Sequence, residues 1–287
     1  RGHRWETGIG HGRFCEDGCL ANDGSATGVE TENRLQSFPS GGVAVVLGAG
    51  GIGAELVRQI GASGRFDSII VASRSPDSAI VEALVEGAGG VVEAVAVDVL
   101  QEASIAELAA GVAAARAQIR MVICAFGILH QPDGPSPERR LEDLSSDSLA
   151  RLFAVNAVGP ALVARHLAPL LPRRERSVFA ALSARVGSIG DNRLGGWYAY
   201  RASKAALNQL LRCTAIELKR RAPGAVVAAL HPGTVDTPLS KPFQSGVALE
   251  QLFSTDHAAR RLLSVIDSLA PDDSGGFFAW DGSRIPW

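Results

Sequence analysis

A tyrosine and a lysine four residues apart carry the chemistry this sequence offers. Tyr200 and Lys204 stand at i and i+4 in the stretch YRASK, at the start of a run with helical periodicity, and that spacing stacks two side chains on one helix face. The chain holds 2 tyrosines, and the other, Tyr198, has no such partner. A phenol with its usual pKa near ~10 is a poor acid at neutral pH, but a neighbouring ammonium favours the phenolate and draws the pKa toward working conditions. Tyr200 is therefore expected to be a proton donor, with Lys204 lowering its pKa. Alone, the pattern more often describes a half-buried aromatic beside a solvated lysine, so its surroundings decide.

Those surroundings begin at Val43. Residues 43–47 are a continuous apolar run suited to a parallel strand covered on both faces. Gly48-Ala49-Gly50-Gly51-Ile52-Gly53 follows, then a helical pattern over 54–62. Strand, G-x-G-x-x-G and helix in that order fit a dinucleotide-phosphate loop, where glycines let the backbone approach the pyrophosphate and the helix N-terminus offers free N–H groups. A second strand over 68–72 ends in Ser73-Arg74, near the position where an acidic residue selects NAD and a basic one accommodates the 2′-phosphate of NADP. Serine and arginine there favour NADP(H) over NAD(H).

Helical pattern over 78–87 leads to a strand over 91–97, with Asp98 at its carboxyl end as an adenine contact or as an N-cap for the helix over 102–117. A strand over 121–125 runs into Phe126-Gly127, His130 and a Pro-rich charged loop to Leu141, a candidate substrate rim. Residues 145–171 read as one long helix with Asn156 inside it, a mediocre helix former that invites a reason for its position. Strands over 178–182 and 225–230 flank the Tyr200 helix, and the second ends in His231-Pro232-Gly233-Thr234-Val235-Asp236-Thr237, a hydroxyl-rich turn able to close over a nicotinamide. A helix over 256–269 and a strand over 276–280 complete the pattern. Strands alternating with helices imply a single doubly wound, Rossmann-type α/β domain over 43–287, with a mostly parallel seven-stranded sheet flanked by helices.

Residues 1–42 are rich in Gly, Asp, Glu, Asn and Ser without sustained periodicity and are expected to form a poorly ordered extension. His11, Cys15 and Cys19 fall at four-residue intervals, but the glycines around them and the missing fourth ligand argue against a metal site. Cys124 and Cys213 read as buried small hydrophobes, and no disulfide framework is expected. A net charge of -2 argues against a nucleic-acid or anionic-membrane surface. No apolar run reaches the ~18 residues of a membrane span, and no secretory signal is evident, so a cytoplasmic protein with a small-molecule partner is expected.

From about Val43 onward the chain resembles the short-chain dehydrogenases/reductases, nearest the branch of C-factor (C-signal) proteins and sniffer-type carbonyl reductases. GAGGIG resembles that family's nucleotide loop, Asp98 its adenine-contacting aspartate, Asn156 its helix asparagine, YRASK its catalytic Y-x-x-x-K and PGTVDT its P-G-x-x-x-T segment. The resemblance implies an NADPH-dependent reductase of aldehydes or ketones in which Tyr200 protonates the carbonyl oxygen. Lys204 would depress the tyrosine pKa and bond the ribose, and Asn156 would hold a water linking Lys204 to solvent. The implied cofactor cleft takes Gly48, Gly50, Ile52 and Gly53 from the glycine loop, with Ser73 and Arg74 after the second strand. Asp98, Val99, Ala125 and Gly127 follow from the next strand ends, and Pro232, Gly233, Thr234, Val235 and Thr237 close it beside Tyr200 and Lys204. A homo-oligomer, dimer or tetramer, is a further implication. An alternative within the same resemblance is a dinucleotide-binding signalling protein with little turnover.

Three departures stand out. The glycine loop is one residue short, and the family's N-N-A-G appears as Cys124-Ala125-Phe126-Gly127, with Phe126 expected on the nicotinamide side. With Gly187 aligned to the family's glycine, the catalytic serine falls on Ala184. Ser183, one residue early, is the favoured substitute and Ser188 the other hydroxyl. Substrate choice is expected to lie in the loops over 126–141, 187–196 and 238–252, which hold no single-charge cluster and so suit a neutral or weakly polar carbonyl.

Overall fold

The computed structural model describes residues 35–130, 136–246 and 248–287. The His11, Cys15 and Cys19 pattern lies outside them. In chain order, β1 (Val43–Leu47), α1 (Ile52–Ala62), β2 (Ser68–Ser73), α2 (Ala79–Gly87), β3 (Val92–Ala96), α3 (Glu102–Ala114) and β4 (Ile119–Cys124) alternate strand and helix. Then come α4 (Ser146–Phe153), α5 (Gly159–Leu167), β5 (Ser177–Leu182), α6 (Tyr198–Arg221) and β6 (Ala225–His231). A short β7 (Thr234–Val235) and β8 (Leu252–Phe253) precede α7 (Thr255–Ser268) and β9 (Gly276–Ala279).

Seven strands form one sheet in the order β3-β2-β1-β4-β5-β6-β9, every neighbour parallel. Residues of β1, β4 and β5 are buried at every position, which is why, apart from Arg120 and Ser177 near the strand starts, their sequences read as apolar runs instead of alternating ones. One face packs on α3, α5 and α6 through residues such as Ile105, Val163 and Leu207, the other on α1, α2 and α7 through Leu56, Val81 and Leu262. The chain leaves β1 toward β2 on one side and enters β4 on the other, so the carboxyl ends of β1 and β4 flank the crevice where open α/β sheets bind ligands.

Four details depart from the sequence-based expectation. Packing begins before residue 43: Leu35 and Phe38 are buried in the core, Phe38 with its ring 5.8 Å from that of Phe66 and beneath the Arg176 guanidinium at 4.8 Å. Two apolar residues in a polar stretch leave no periodic signal, so residues 35–42 carry no sequence mark of their packing. The expected helix over 145–171 is interrupted by a π turn over Ala154–Val158 between α4 and α5. Pro160 has no N–H to give the Asn156 carbonyl, and π turns recur where a helix must re-aim a side chain. Cys213 is exposed on α6, whereas Cys124 is buried as expected. The parallel pair β7–β8 was not foreseen, being only two residues deep. Among the described residues no helix is long and apolar enough to cross a membrane.

Candidate active site

The glycine loop joins β1 to α1 at the crevice. Gly48 takes φ +102°, and a Cβ on it would lie 3.0–3.1 Å from the backbone of Ala125 and Phe126. At Gly53 the constraint is absolute, since an added Cβ would stand 1.9 Å from the Gly48 carbonyl oxygen. Gly50 is the opposite case, with nothing within 4 Å of where a side chain would start. No side chain caps α1; the Gly53 N–H turns back to the Gly50 carbonyl at 2.9 Å, and the other N–H groups of the first turn are available to an anion. Gly51, which the sequence reading did not single out, has φ +46° and would press a Cβ to 3.0 Å from the Thr237 methyl. The hydroxyl-rich turn after β6 therefore lies over the glycine loop, which brings Thr237 to the phosphate cradle. These residues fit a dinucleotide.

Around this cradle the other expected contacts fall at strand ends. Ser73 closes β2, its hydroxyl accepting the Ser75 N–H at 3.2 Å, and Arg74 beside it is exposed. Asp98 does not cap α3, whose N-cap is Gln101; its carboxylate accepts the Leu100 N–H at 3.0 Å instead. Ala125 continues β4 by donating to the Leu47 carbonyl at 2.8 Å. The Phe126 ring and Val99 both crowd Gly159 at the start of α5, where a Cβ would meet them at 3.2 and 3.4 Å. Gly233, at φ +80°, lies against the Phe253 ring, which in turn packs edge-on to Trp280 at 4.7 Å.

The expected catalytic side is built from buried polar side chains. Tyr200 and Lys204 share one face of α6, both buried, with the Lys204 amine 5.8 Å from the Tyr200 ring centroid. Lys204 Nζ donates to the Leu182 carbonyl at 2.8 Å. From the π turn, Asn156 Oδ1 accepts the Ile128 N–H and Nδ2 donates to the Ile128 carbonyl, both at 2.8 Å. Nδ2 also donates to Ser203 Oγ at 3.1 Å, and that hydroxyl donates to the Tyr200 carbonyl at 2.8 Å. Gly127 lies between the partners: a Cβ there would be 3.2 Å from both Asn156 Oδ1 and Lys204 Nζ. Tyr200, Lys204, Asn156 and Gly127 thus meet at the carboxyl ends of β4 and β5.

Ser183 stands apart from this group. Its hydroxyl donates to Asn208 Oδ1 at 2.7 Å, one turn beyond Lys204 on α6. Ala184, extended at φ −148° and ψ 143°, points the other way and packs in the apolar cluster that contains Tyr200, Leu129 and Leu152. Ser188 is also buried and accepts the Asp191 N–H at 3.1 Å. The side chain beside Tyr200 at the end of β5 is therefore a methyl group, and the expected substitution of Ser183 for a substrate-orienting hydroxyl is not what the geometry offers.

Burial sets the electrostatics. It pushes the Tyr200 phenol above its ordinary value, not below it as the Lys204 spacing suggested, and pushes Lys204 down to about 8. Desolvation disfavours the charged form of each, and without a further partner neither offsets the other. Cys124 is raised by burial, with Lys204 as a smaller opposing influence. His231, at the end of β6, is held down to about 4, first by burial and then by Arg185, so it is neutral at physiological pH.

Sequence reading missed three contributors with no local signal. Asn208 and Ser203 were ordinary polar residues of a helix until their partners arrived. Glu138 was one charge in a charged loop, yet it is 4% exposed and bonds to the first turn of α6.

The chain belongs to the short-chain dehydrogenase/reductase family and is an NAD(P)-dependent oxidoreductase: the family model described as Enoyl-(Acyl carrier protein) reductase matches residues 46–270. It is similar to the C-signal protein of Myxococcus xanthus, 37% identical over 147 residues that make up 51% of this chain and 83% of that one. A second relative is 1-hydroxy-2-glutathionyl-2-methyl-3-butene dehydrogenase of Rhodococcus sp. (strain AD45), 32% identical over 70% of this chain and 82% of the other. Among solved structures, the NADPH-bound carbonyl reductase from chicken fatty liver superposes with a TM-score of 0.75 at 25% identity, covering 87% of this chain and all (100%) of its own.

Proposed function

We propose that this chain reduces an aldehyde or ketone with NADPH, Tyr200 delivering the proton to the carbonyl oxygen. The observation that carries the reading is the buried convergence of Tyr200, Lys204 and Asn156 next to a glycine cradle with open space at Gly50. When bound, the dinucleotide supplies the hydride. The chain supplies the rest. Gly48, Gly50, Ile52, Gly53 and Thr237 would hold the pyrophosphate, Asp98 and Val99 the adenine side, and Pro232, Gly233, Thr234 and Val235 the nicotinamide side. Ser73 and Arg74 would favour the 2′-phosphate of NADP(H). Tyr200, kept protonated by burial, gives up its proton once negative charge develops on the substrate oxygen. Lys204 sits where its charge would stabilise the phenolate left behind, and Asn156 fixes the Gly127–Ile128 backbone beside it.

Ala184 leaves this site without a hydroxyl donor at that strand end, and the likeness to a C-signal protein points the same way, toward a dinucleotide-binding signalling protein with low turnover. The reading also takes the chain to work in the cytoplasm on a small carbonyl compound, as a homo-oligomer, on the strength of the family alone. NADPH consumption against a panel of aldehydes, ketones and dicarbonyls, with cofactor binding followed in the same samples, separates the two. Tyr200→Phe is expected to lower kcat by roughly 10²–10⁴-fold while leaving cofactor affinity intact. Unchanged turnover in that variant removes the mechanism. Cofactor binding by a wild type that turns over nothing in the panel favours signalling.

A further inference from the structure

The helix that carries Tyr200 starts without a cap of its own. Its N-cap residue, Trp197, adopts the left-handed conformation at φ 50° and ψ 42° and offers no side-chain hydrogen bond. A bulky residue is rarely found there, and the first N–H groups of a helix need acceptors. The acceptors come from far away in sequence. Glu138 gives its main-chain carbonyl to the Trp197 N–H and its Oε2 to the Ala199 N–H at 3.3 Å. Its Oε1 accepts from Ser148 Oγ at 3.0 Å, which fastens the same carboxylate to α4. At 4% exposure Glu138 is among the few charged side chains buried among the described residues, and a charge is buried only where its partners hold it.

On this basis we propose that Glu138 is the positioning residue of the proposed reductase site, fixing the first turn of α6, and so Tyr200, through the Ala199 N–H. The inference rests on the carbonyl-reductase reading. Glu138 acts through the helix, not on the substrate. A negative charge at a helix N-terminus is stabilising and opposes a second negative charge nearby. It therefore favours the protonated phenol one residue further on. Among the described residues, the other titratable or charged groups placed at this end of α6 are Lys204 on the same helix, Cys124 beneath it, His130 across the Phe243 ring at 5.6 Å, and Arg201, whose guanidinium bonds the Gly195 and Gly196 carbonyls. None of these bonds the Ala199 N–H, so they leave the task to Glu138.

The test compares Glu138→Gln and Glu138→Ala with wild type in full pH profiles of kcat and KM, beside Tyr200→Phe. Glutamine keeps the length and one acceptor oxygen but removes the charge. It is expected to lower kcat by a few-fold with the KM for NADPH unchanged, and to move the alkaline limb of kcat to lower pH by roughly 0.2–0.7 unit, the size of a charge–helix-terminus interaction. Alanine is expected to cost roughly 10–100-fold in kcat, with glutamine rescuing most of the loss, because a small misplacement of a reacting group is costly. Profiles of Glu138→Gln that superimpose on wild type, or a Glu138→Ala loss that glutamine does not rescue, would overturn the role of Glu138 alone. A wild type without turnover, or Tyr200→Phe with full turnover, would overturn the reductase reading and this inference with it.

Discussion

The two ends of the cofactor crevice are held by opposite means. On the β1–α1 side the site is backbone: Gly53 lies against the Gly48 carbonyl with no room for a carbon, Gly48 sits close to the Ala125–Phe126 backbone at a positive φ, and Gly50 faces open space. On the β4–α6 side it is side chain: Asn156 is bonded to Ser203, Asn208 to the Ser183 hydroxyl and Lys204 to the Leu182 carbonyl, all of them buried. A steric constraint at a glycine is nearly all-or-none, while a hydrogen-bonded network yields by degrees. Substitution should therefore abolish the first kind of site abruptly and tune the second.

The sharpest test of that contrast lies within the glycine loop. Gly53→Ala must displace the Gly48 carbonyl, which a Cβ would approach to 1.9 Å. Overpacking of this kind costs about 1–3 kcal/mol of stability, and moving the loop should lower dinucleotide affinity by roughly 100-fold, about 2.7 kcal/mol. Gly50→Ala meets nothing within 4 Å, so its thermal midpoint should stay at the wild-type value while affinity still falls, the methyl taking space a phosphate would use. Calorimetric binding and thermal unfolding of both variants check this. Equal stability losses would mean that the loop relaxes freely and that the backbone side is no more rigid than the network.

The same contrast explains what could be read from sequence. Runs such as residues 43–47 and the glycine spacing announce themselves because their causes are local: a strand buried on both faces, a turn that excludes side chains. YRASK was legible for the same reason, its two functional groups being neighbours on one helix. Glu138 and Ala199 are 61 residues apart, and nothing in a charged loop marks one carboxylate as the buried one. The direction of Ser183 was undecidable without knowing whether the end of β5 stays extended, which it does at Ala184. The pKa of Tyr200 failed for a related reason, since spacing shows a cation nearby but not how dry the pair becomes.

That dryness gives the next prediction. Lys204 has its folded value pushed down to about 8 by burial, so below that pH the folded protein carries a buried ammonium that the unfolded chain would carry in water. The penalty is fully present below about 8 and vanishes as pH rises through the ordinary lysine value near ~10.4. Lys204→Met is expected to abolish turnover yet stabilise the cofactor-free protein near neutral pH by about 1–3 kcal/mol, less the lost bond to Leu182. Urea unfolding at several pH values should show this advantage shrinking toward alkaline pH. An advantage that did not change with pH would mean that the amine is well solvated and that this side of the crevice is not the dry network described above.

The smallest effect is expected at the edge where neither constraint operates. Arg74 is exposed and follows Ser73 at the end of β2, so its interaction with a 2′-phosphate would be partly screened by water and salt. Arg74→Ala should weaken NADPH binding by roughly 10-fold, about 1.4 kcal/mol, leave NADH binding within two-fold of wild type, and lose most of its effect in high salt. Titration of both dinucleotides at two ionic strengths measures it. Equal losses for the two would take Arg74 away from the 2′-phosphate. A salt-independent loss for NADPH would instead mean that the arginine is drawn into the crevice on binding, extending the side-chain mode of recognition to the adenine end.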